Sequence, residues 1–285
     1  MIRGIITDID GVIVGDKVGF NSPFPHPDVL ARIKKIHDSG IPVTLCTGKP
    51  HYAVGQIIRV CGLNNPHITD GGAIIIDPIT NTIVKKHVMD PSLVAGLVAS
   101  CLRTDMYVEI YTEESYIIQK SQVRENLTPI HEHILQTAPV IVDDLVEEAK
   151  NHEIVKVMPV ATDEEDKKRL ISIYEPYKDQ LTLAFGLHPI ANPHQFGLIT
   201  AKGVSKKQSA IDATSALQIP LRDYLGIGDS TSDWSFMELC GYAATIGNGS
   251  SELKKLVVSK EDHGFIAEHS VDENGALTIL DYFGL

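Results

Sequence analysis

Two carboxylate residues separated by one position, Asp8 and Asp10, follow the first apolar segment of the chain and precede Gly11. Alternate residues of a strand point the same way, and a turn at glycine lets the backbone change direction at once. Asp8 could therefore approach a phosphorus atom while Asp10 reaches the leaving oxygen. Acidic residues before glycine are also common in ordinary turns, so this segment alone leaves both interpretations open.

Three other segments carry residues of compatible chemistry. Thr47 and Gly48 follow a second apolar segment and offer a hydroxyl group and a backbone amide, although this pair alone is a weak signal. Asp229 and Asp233 follow a later apolar segment, and Asp233 alone would be explained as a helix-start residue that the dipole favours. Lys206 begins a predicted helix, where a cation opposes the dipole, and such local conflicts are expected at functional positions. A solvated surface lysine is the alternative.

The elements around these residues predict a parallel sheet. Apolar segments at 2–7, 41–46, 224–227 and 243–246 indicate strands, and segments of helical periodicity lie between them. Alternating strands and helices predict right-handed crossovers. The carboxyl ends of such strands meet at one edge, where ligands bind. The carboxylates, the hydroxyl and the ammonium group would converge there as a hard-oxygen magnesium site beside a phosphate pocket.

A change of pattern along the chain predicts an inserted domain. Residues 73–76 and 82–86 flank a turn-rich segment and predict a hairpin that leaves the main sheet. Helices then mix with alternating strands, which indicates an α+β insert of plausible domain size. We predict a core domain formed by residues 1–86 and 191–285 and an inserted domain formed by residues 87–190.

The four segments resemble those of the haloacid dehalogenase-like phosphatases in order and spacing. The matching residues are Asp8-x-Asp10-Gly11, Thr47-Gly48, Lys206 and Gly228-Asp229-x-x-x-Asp233. The chain is similar to the Cof-type sugar phosphatases of that family in its long insert and in Gly203-Val204-Ser205-Lys206, Gly247-Asn248 and Asp262-His263-Gly264-Phe265. The resemblance implies an α/β fold, with a doubly wound, Rossmann-like core and an inserted α+β cap domain.

The resemblance also implies a role for each matching residue. Asp8 would be the nucleophile, and Asp10 would protonate the leaving alkoxide and then activate water. Thr47 and Lys206 would anchor the phosphate. The other implied phosphate- or substrate-binding positions are Gly11, Gly48, Lys49 and Asn248, and the implied magnesium ligands are Asp8, the backbone carbonyl of Asp10, Asp229 and Asp233.

Some positions depart from the family pattern. Lys49 stands where relatives usually carry arginine, which replaces a bidentate fork by a point charge. Ser232 stands where the Cof branch commonly has asparagine, and Leu198 stands where it often has glutamate. Asp70-Gly71-Gly72 replaces the usual Asn-Gly. We expect the phosphate chemistry to survive these changes, which leave the substrate unspecified.

Other polar residues give weaker signals. His131-Glu132-His133 lacks the i, i+4 spacing of helical zinc sites, so we interpret it as a solvated helix face. His188 and His194 flank the return from the insert, where a hinge position is the preferred interpretation and substrate contact is the alternative. Cys46 lies in an apolar strand and is expected to pack in the core.

The composition excludes several classes of partner. The formal net charge of −12 gives a surface field that repels nucleic acid. No apolar run reaches membrane length, and the N-terminal segment lacks the features of a signal peptide, which predicts a cytoplasmic protein. The four cysteines have no paired spacing, so we expect reduced thiols.

The sequence as a whole predicts a Mg²⁺-dependent phosphatase. Its predicted substrates are small phosphorylated metabolites, with sugar phosphates favoured, and its predicted state is a monomer or homodimer. The insert would act as a lid that excludes water and recognises the leaving group. A phosphomutase and a non-catalytic phosphate-binding protein on the same scaffold are the alternatives.

Overall fold

The chain forms fourteen strands and ten α-helices in the computed structural model, which describes residues 1–285. The strands are β1 (Gly4–Thr7), β2 (Val43–Leu45), β3 (His67–Thr69), β4 (Ile74–Asp77), β5 (Thr82–Lys86), β6 (Tyr107–Tyr111), β7 (Tyr116–Gln119), β8 (Val140–Val142), β9 (Lys156–Ala161), β10 (Leu181–Leu187), β11 (Gln195–Ala201), β12 (Tyr224–Gly228), β13 (Tyr242–Thr245) and β14 (Gly264–Ile266). The helices are α1 (Pro27–Asp38), α2 (His51–Cys61), α3 (Pro91–Arg103), α4 (Thr128–Leu135), α5 (Leu145–Asn151), α6 (Glu164–Tyr174), α7 (Lys206–Ser215), α8 (Thr231–Met237), α9 (Ser251–Val258) and α10 (Gly275–Tyr282).

The main sheet is parallel throughout, with the strand order β14-β13-β12-β1-β2. Successive residues of β1 point to opposite faces of this sheet. Ile5 packs in one apolar cluster with residues of α1, α2 and α10, and Ile6 packs in another with residues of α7, α8 and α9. Helices therefore cover both faces, and the predicted α/β fold with a doubly wound core is confirmed.

A second sheet, of six strands in the order β10-β11-β9-β6-β7-β8, forms the inserted part of the chain. We call this sheet and helices α3 to α6 the lid. Strands β9, β10 and β11 pair antiparallel, so β11 belongs to the lid sheet. The lid sheet therefore extends to Ala201, beyond the predicted domain boundary at residue 190, because the return segment pairs with lid strands before it reaches α7.

The predicted hairpin is present as β4 and β5 in a three-stranded antiparallel sheet with β3. A parallel bridge between Cys46 and Ile68 links this small sheet to the end of β2. The small sheet thus lies beside the strand ends where the polar residues were predicted to converge. None of the ten helices combines the length and hydropathy that a bilayer crossing requires.

Candidate active site

The carboxyl ends of three neighbouring strands bring the predicted residues together. Thr7, the last residue of β1, lies opposite Leu45 of β2 and Ile227 of β12. Asp8 and Asp229 therefore emerge from adjacent strands at the same edge. The register of a parallel sheet, rather than proximity in sequence, assembles this site.

Asp8, Asp229 and Asp233 form a cluster in which one ligand atom of each lies within 4.8 Å of the others. Burial raises the pKa of Asp8 to about 8, and Asp233 and Asp10 add to this effect against the opposing charge of Lys206. Burial, followed by the charges of Asp233 and Asp8, raises the pKa of Asp229 well above its usual value. A divalent cation stabilises such crowded carboxylates, and Mg²⁺ prefers hard oxygen ligands, so the residues fit this ion.

Lys206 links two members of this cluster. Its Nζ donates hydrogen bonds to Asp8 Oδ2 at 2.8 Å and to Asp233 Oδ1 at 2.7 Å. Burial alone would lower the pKa of Lys206, but the charges of Asp233 and Asp8 raise it well above its usual value. The sequence places this cation at the first position of α7, after Ser205 caps the helix by accepting a hydrogen bond from Gln208 N–H. Lys206 is therefore a largely buried ion-pair partner.

Asp233 serves both as a helix cap and as part of the cluster. Its Oδ2 accepts hydrogen bonds from the backbone N–H groups of Asp229 and Ser230, both at 3.1 Å. Its Oδ1 faces Lys206. Although burial alone would raise the pKa of Asp233, the charge and hydrogen bond of Lys206 lower it. Asp233 does lie at the start of α8, as the helix-start interpretation predicts, and the same side chain also fixes the loop that carries Asp229.

Asp10 lies against two basic side chains. Its Oδ1 is 2.9 Å from Lys49 Nζ and 3.1 Å from His188 Nε2. Burial opposes ionisation of Asp10, but the charge of Lys49 holds the pKa of this carboxyl well below its usual range. Burial lowers the pKa of His188, and Ile190 N–H donates to its Nδ1, which leaves the proton of the neutral imidazole on Nε2. Lys49 therefore contacts Asp10 in this structure.

The remaining predicted residues shape the loops. Gly11 has φ of +77°, and a Cβ there would lie 2.1 Å from Asp229 Oδ2. Asn248 Nδ2 donates to the Gly11 carbonyl at 2.9 Å, and its Oδ1 accepts from Val271 N–H at 2.8 Å. Asn248 thus fixes the Asp8–Gly11 loop through both ends of its amide.

Thr47 and Gly48 occupy the turn after β2. Thr47 is fully buried, and its Oγ1 accepts a hydrogen bond from Lys49 N–H at 3.1 Å. Gly48 lines the cavity above the acidic cluster, and a Cβ at this position would lie 2.8 Å from a methyl group of Leu198. Gly48 therefore permits close approach of the lid, whereas Thr47 holds the turn.

The chain matches a known family along most of its length. A family model of haloacid dehalogenase-like hydrolases aligns with residues 5–264. The chain belongs to the haloacid dehalogenase-like hydrolases. The predicted family resemblance is confirmed.

Three relatives of this haloacid dehalogenase-like hydrolase illustrate the range of the family. Phosphatase YwpJ of Bacillus subtilis (strain 168) is 21% identical, over 91% of this chain and 96% of the relative. YwtE of the same organism, a 5-amino-6-(5-phospho-D-ribitylamino)uracil phosphatase, is 22% identical over 98% of this chain and 97% of the relative. The solved structure of the HAD subclass IIB sugar phosphatase BT4131 is 20% identical, with a TM-score of 0.78 over 99% of each chain. The family and these relatives confirm the predicted phosphatase class.

A cavity of about 310 Å³ lies between the core and the lid of this haloacid dehalogenase-like hydrolase. Asp8, Asp10, Lys206 and Asp229 line its core side, and a volume near 300 Å³ suffices for a small metabolite. His188 also lines it, which supports the substrate-contact alternative over a plain hinge. His194, Thr47 and Asn248 do not border the cavity.

Lys156 is a cavity residue that the sequence reasoning missed. It lies in β9 and is almost completely buried. Its Nζ donates to the Gly48 carbonyl at 2.8 Å and to Asp70 Oδ1 at 2.9 Å, so it joins the lid to the core. The signal that could have found it is a lysine within an otherwise apolar strand, because a buried cation requires a partner.

The interpretation of His131-Glu132-His133 as a solvated face is wrong for His131. This side chain is buried, and its Nδ1 lies 2.7 Å from Glu109 Oε1 on β6. Helix α4 packs this face against the lid sheet, and the His133 imidazole approaches Ser22 of the core at 3.2 Å. The prediction for Cys46 is confirmed, because this thiol is buried in the core and its burial raises its pKa.

Proposed function

We propose that the chain is a Mg²⁺-dependent phosphatase that hydrolyses small phosphate monoesters through a phospho-aspartate on Asp8. The observation that carries this proposal is the position of Asp8. It contacts Lys206, lies beside Asp229 and Asp233, and borders a cavity of metabolite size. A nucleophilic carboxylate needs nearby positive charge, because it must approach an anionic phosphate.

The donor set supports a magnesium ion held by Asp8, Asp229 and the backbone carbonyl of Asp10. Both oxygens of Asp233 are engaged, by Lys206 and by two backbone N–H groups, so Asp233 would support the ion from behind. When bound, the ion supplies positive charge that neutralises the phosphate and the carboxylates. This donor set is consistent with the general use of a divalent metal by phosphatases of this family.

The first half-reaction would be the attack of an Asp8 oxygen on phosphorus. The bond between phosphorus and the leaving oxygen breaks, and the proton of Asp10 moves to that oxygen. Lys49 holds Asp10 ionised in this structure but also lines the cavity. A phosphate dianion can compete with Asp10 for this ammonium group, which would leave Asp10 free to carry the proton.

The second half-reaction would release inorganic phosphate. Asp10, now ionised, takes a proton from a water molecule, and the water oxygen attacks phosphorus and displaces Asp8. Contacts with Lys49 and His188 favour the ionised form that this step requires. Lys206 neutralises the Asp8 carboxylate as it leaves.

Small phosphorylated metabolites are the proposed substrates, with sugar phosphates as the first class to examine. BT4131 is a sugar phosphatase, and YwtE acts on a phosphorylated ribitylamino-uracil, so a substrate panel should include both sugars and esters with a ring. A cytoplasmic location and a monomeric or homodimeric state remain predictions.

The proposal is tested by phosphate release from purified protein with Mg²⁺. The panel contains hexose, pentose, glycerol, nucleotide and aryl phosphates. We expect turnover of at least one ester by the wild type and none by Asp8→Asn. The matched control is Asp28→Asn, at an exposed position of α1. Equal activity of Asp8→Asn would reject the proposal, and an isomerised product with little free phosphate would instead indicate a mutase.

A further inference from the structure

The cavity changes character between its two ends. Its core end carries the carboxylates and Lys206, whereas apolar side chains dominate the lid end. The larger apolar residues that line the lid end include Ile134, Leu135, Met158, Phe185, Phe196 and Leu198. Apolar walls favour the burial of a leaving group with an apolar surface and leave the hydroxyls of a polyol without partners.

His131, which lines this apolar end, forms a buried ionisable pair with Glu109 behind it. Glu109 is fully buried and accepts hydrogen bonds from Tyr107 Oη at 2.8 Å and Tyr111 Oη at 2.6 Å. The same carboxylate lies 2.7 Å from His131 Nδ1. A carboxylate only accepts hydrogen bonds, so Nδ1 carries a proton and the orientation of the imidazole is fixed.

The other imidazole nitrogen is available for recognition. His131 lines the cavity, and its ring stacks on Phe196 with centroids 5.3 Å apart. Its Nε2 has no hydrogen-bond partner in the protein. Two other polar side chains of the lid end are already engaged, because Tyr111 bonds Glu109 and Lys156 bonds Gly48 and Asp70.

We propose that His131, oriented by Glu109, is the specificity-determining residue of the lid, and that it recognises one hydrogen-bonding atom on a leaving group with a flat, apolar ring face. The ring would pack against Phe196 and Met158 while its ester phosphate lies at Asp8. Either protonation state of the imidazole leaves Nε2 able to make one directed hydrogen bond. The inference rests on the proposed phosphatase function and narrows its substrate class.

Matched aryl phosphates test this inference. The pairs are phenyl and 4-hydroxyphenyl phosphate, and 2-naphthyl and 6-hydroxy-2-naphthyl phosphate, with glucose 6-phosphate as the polyol. Phosphate release with Mg²⁺ gives kcat and KM for the wild type, His131→Phe and Glu109→Gln. Phenylalanine keeps a stacking ring but removes Nε2, whereas glutamine keeps the shape of Glu109 and weakens its hold on the imidazole.

We expect the wild type to prefer the hydroxylated ester of at least one pair by about 10-fold in kcat/KM, as one hydrogen bond provides. His131→Phe should lose this preference through a higher KM for the hydroxylated ester, so that the two members of each pair have similar kcat/KM. Glu109→Gln should give an intermediate preference. If His131→Phe folds poorly, Glu109→Gln tests the inference in its place.

Three outcomes would overturn the inference. An equal loss of activity on both members of each pair would assign His131 a structural role. An unchanged preference in His131→Phe would exclude recognition by Nε2, and a higher kcat/KM for glucose 6-phosphate than for every aryl ester would exclude the apolar leaving group. The proposed function itself fails separately, when Asp8→Asn hydrolyses the same esters as fast as the wild type.

Discussion

Lys206 illustrates how a single residue connects folding with the proposed chemistry. It compensates two buried carboxylates, Asp8 and Asp233, at 2.8 and 2.7 Å. An isolated buried charge strongly destabilises the folded state, so an ionised Asp8 requires this ion pair. In the proposed mechanism the same ammonium group would neutralise a phosphate at Asp8.

Replacement of Lys206 by methionine should lower kcat/KM by about 10²- to 10³-fold, because an electrostatic contact to the reacting carboxylate is lost. Lys207→Met is the matched control, since Lys207 is the next residue and pairs with Glu238 on the surface. Steady-state phosphate release, with circular dichroism to verify folding, provides the measurement. A folded Lys206→Met enzyme with activity within about threefold of Lys207→Met would contradict this account.

Gly11 and Gly19 form a second matched pair. Both have positive φ, +77° and +81°, so alanine strains the backbone at either position. Only at Gly11 would the added Cβ collide with Asp229, because nothing lies within 4 Å of the position at Gly19. Gly11→Ala should therefore weaken Mg²⁺ binding by about 10- to 100-fold, which is the usual effect of mutating a residue that holds a metal ligand in place. Calorimetric titration should show no such change for Gly19→Ala, and equal affinities would reject the argument.

Sequence reasoning predicted that several polar residues would lie close together, and the structure brings them together for a clear physical reason. Asp8, Asp229 and Lys206 are polar residues at strand or helix ends, and the topology of a parallel sheet brings those ends together. The surroundings of Lys49 and His131 could not be predicted in this way. Their partners, Asp10 and Glu109, lie on other elements, and the direction of a long or buried side chain depends on the tertiary packing.

At the scale of elements, the alternation of strands and helices was sufficient to predict the parallel sheet, and the family resemblance implied its doubly wound arrangement. The hairpin before the lid was also correctly predicted as β4 and β5. The end of the lid sheet was not correctly predicted. Strand β11 is an apolar strand that pairs with β9 and β10, and these pairings join segments distant in sequence. Local periodicity indicates that a segment is a strand, but it does not tell which sheet the strand joins.

Lys156 connects the lid strand β9 to the core through Gly48 and Asp70. Lys156→Met would leave the buried Asp70 carboxylate without its cation, so the free energy of unfolding should fall by about 3 kcal/mol. Denaturant unfolding measures this change. The double variant Lys156→Met, Asp70→Asn should recover part of the loss, because the unpaired charge is also removed. A Lys156→Met protein as stable as the wild type would show that this ion pair does not hold the lid.

At the scale of the whole molecule, an acidic chain with a net charge of −12 gathers three carboxylates in one cluster, and two of them are buried. A cation that binds only the folded state stabilises it by mass action, by about 2.7 kcal/mol at 100 times its dissociation constant. We therefore expect saturating Mg²⁺ to raise the unfolding midpoint relative to protein in EDTA. Asp229→Asn should remove most of this increase, whereas an identical increase in that variant would place the ion elsewhere.

The phosphorylation of Asp8 is the claim on which the proposed mechanism depends, and it can be measured directly. Asp10→Asn is mixed with p-nitrophenyl phosphate and Mg²⁺, because this leaving group needs no proton whereas the second half-reaction needs a base. After acid quenching, peptide mapping by mass spectrometry should find a phosphoryl group on Asp8 and none in the Asp8→Asn, Asp10→Asn double variant. Release of nitrophenol by Asp10→Asn with no phosphoryl group on Asp8 at any time point would contradict the account.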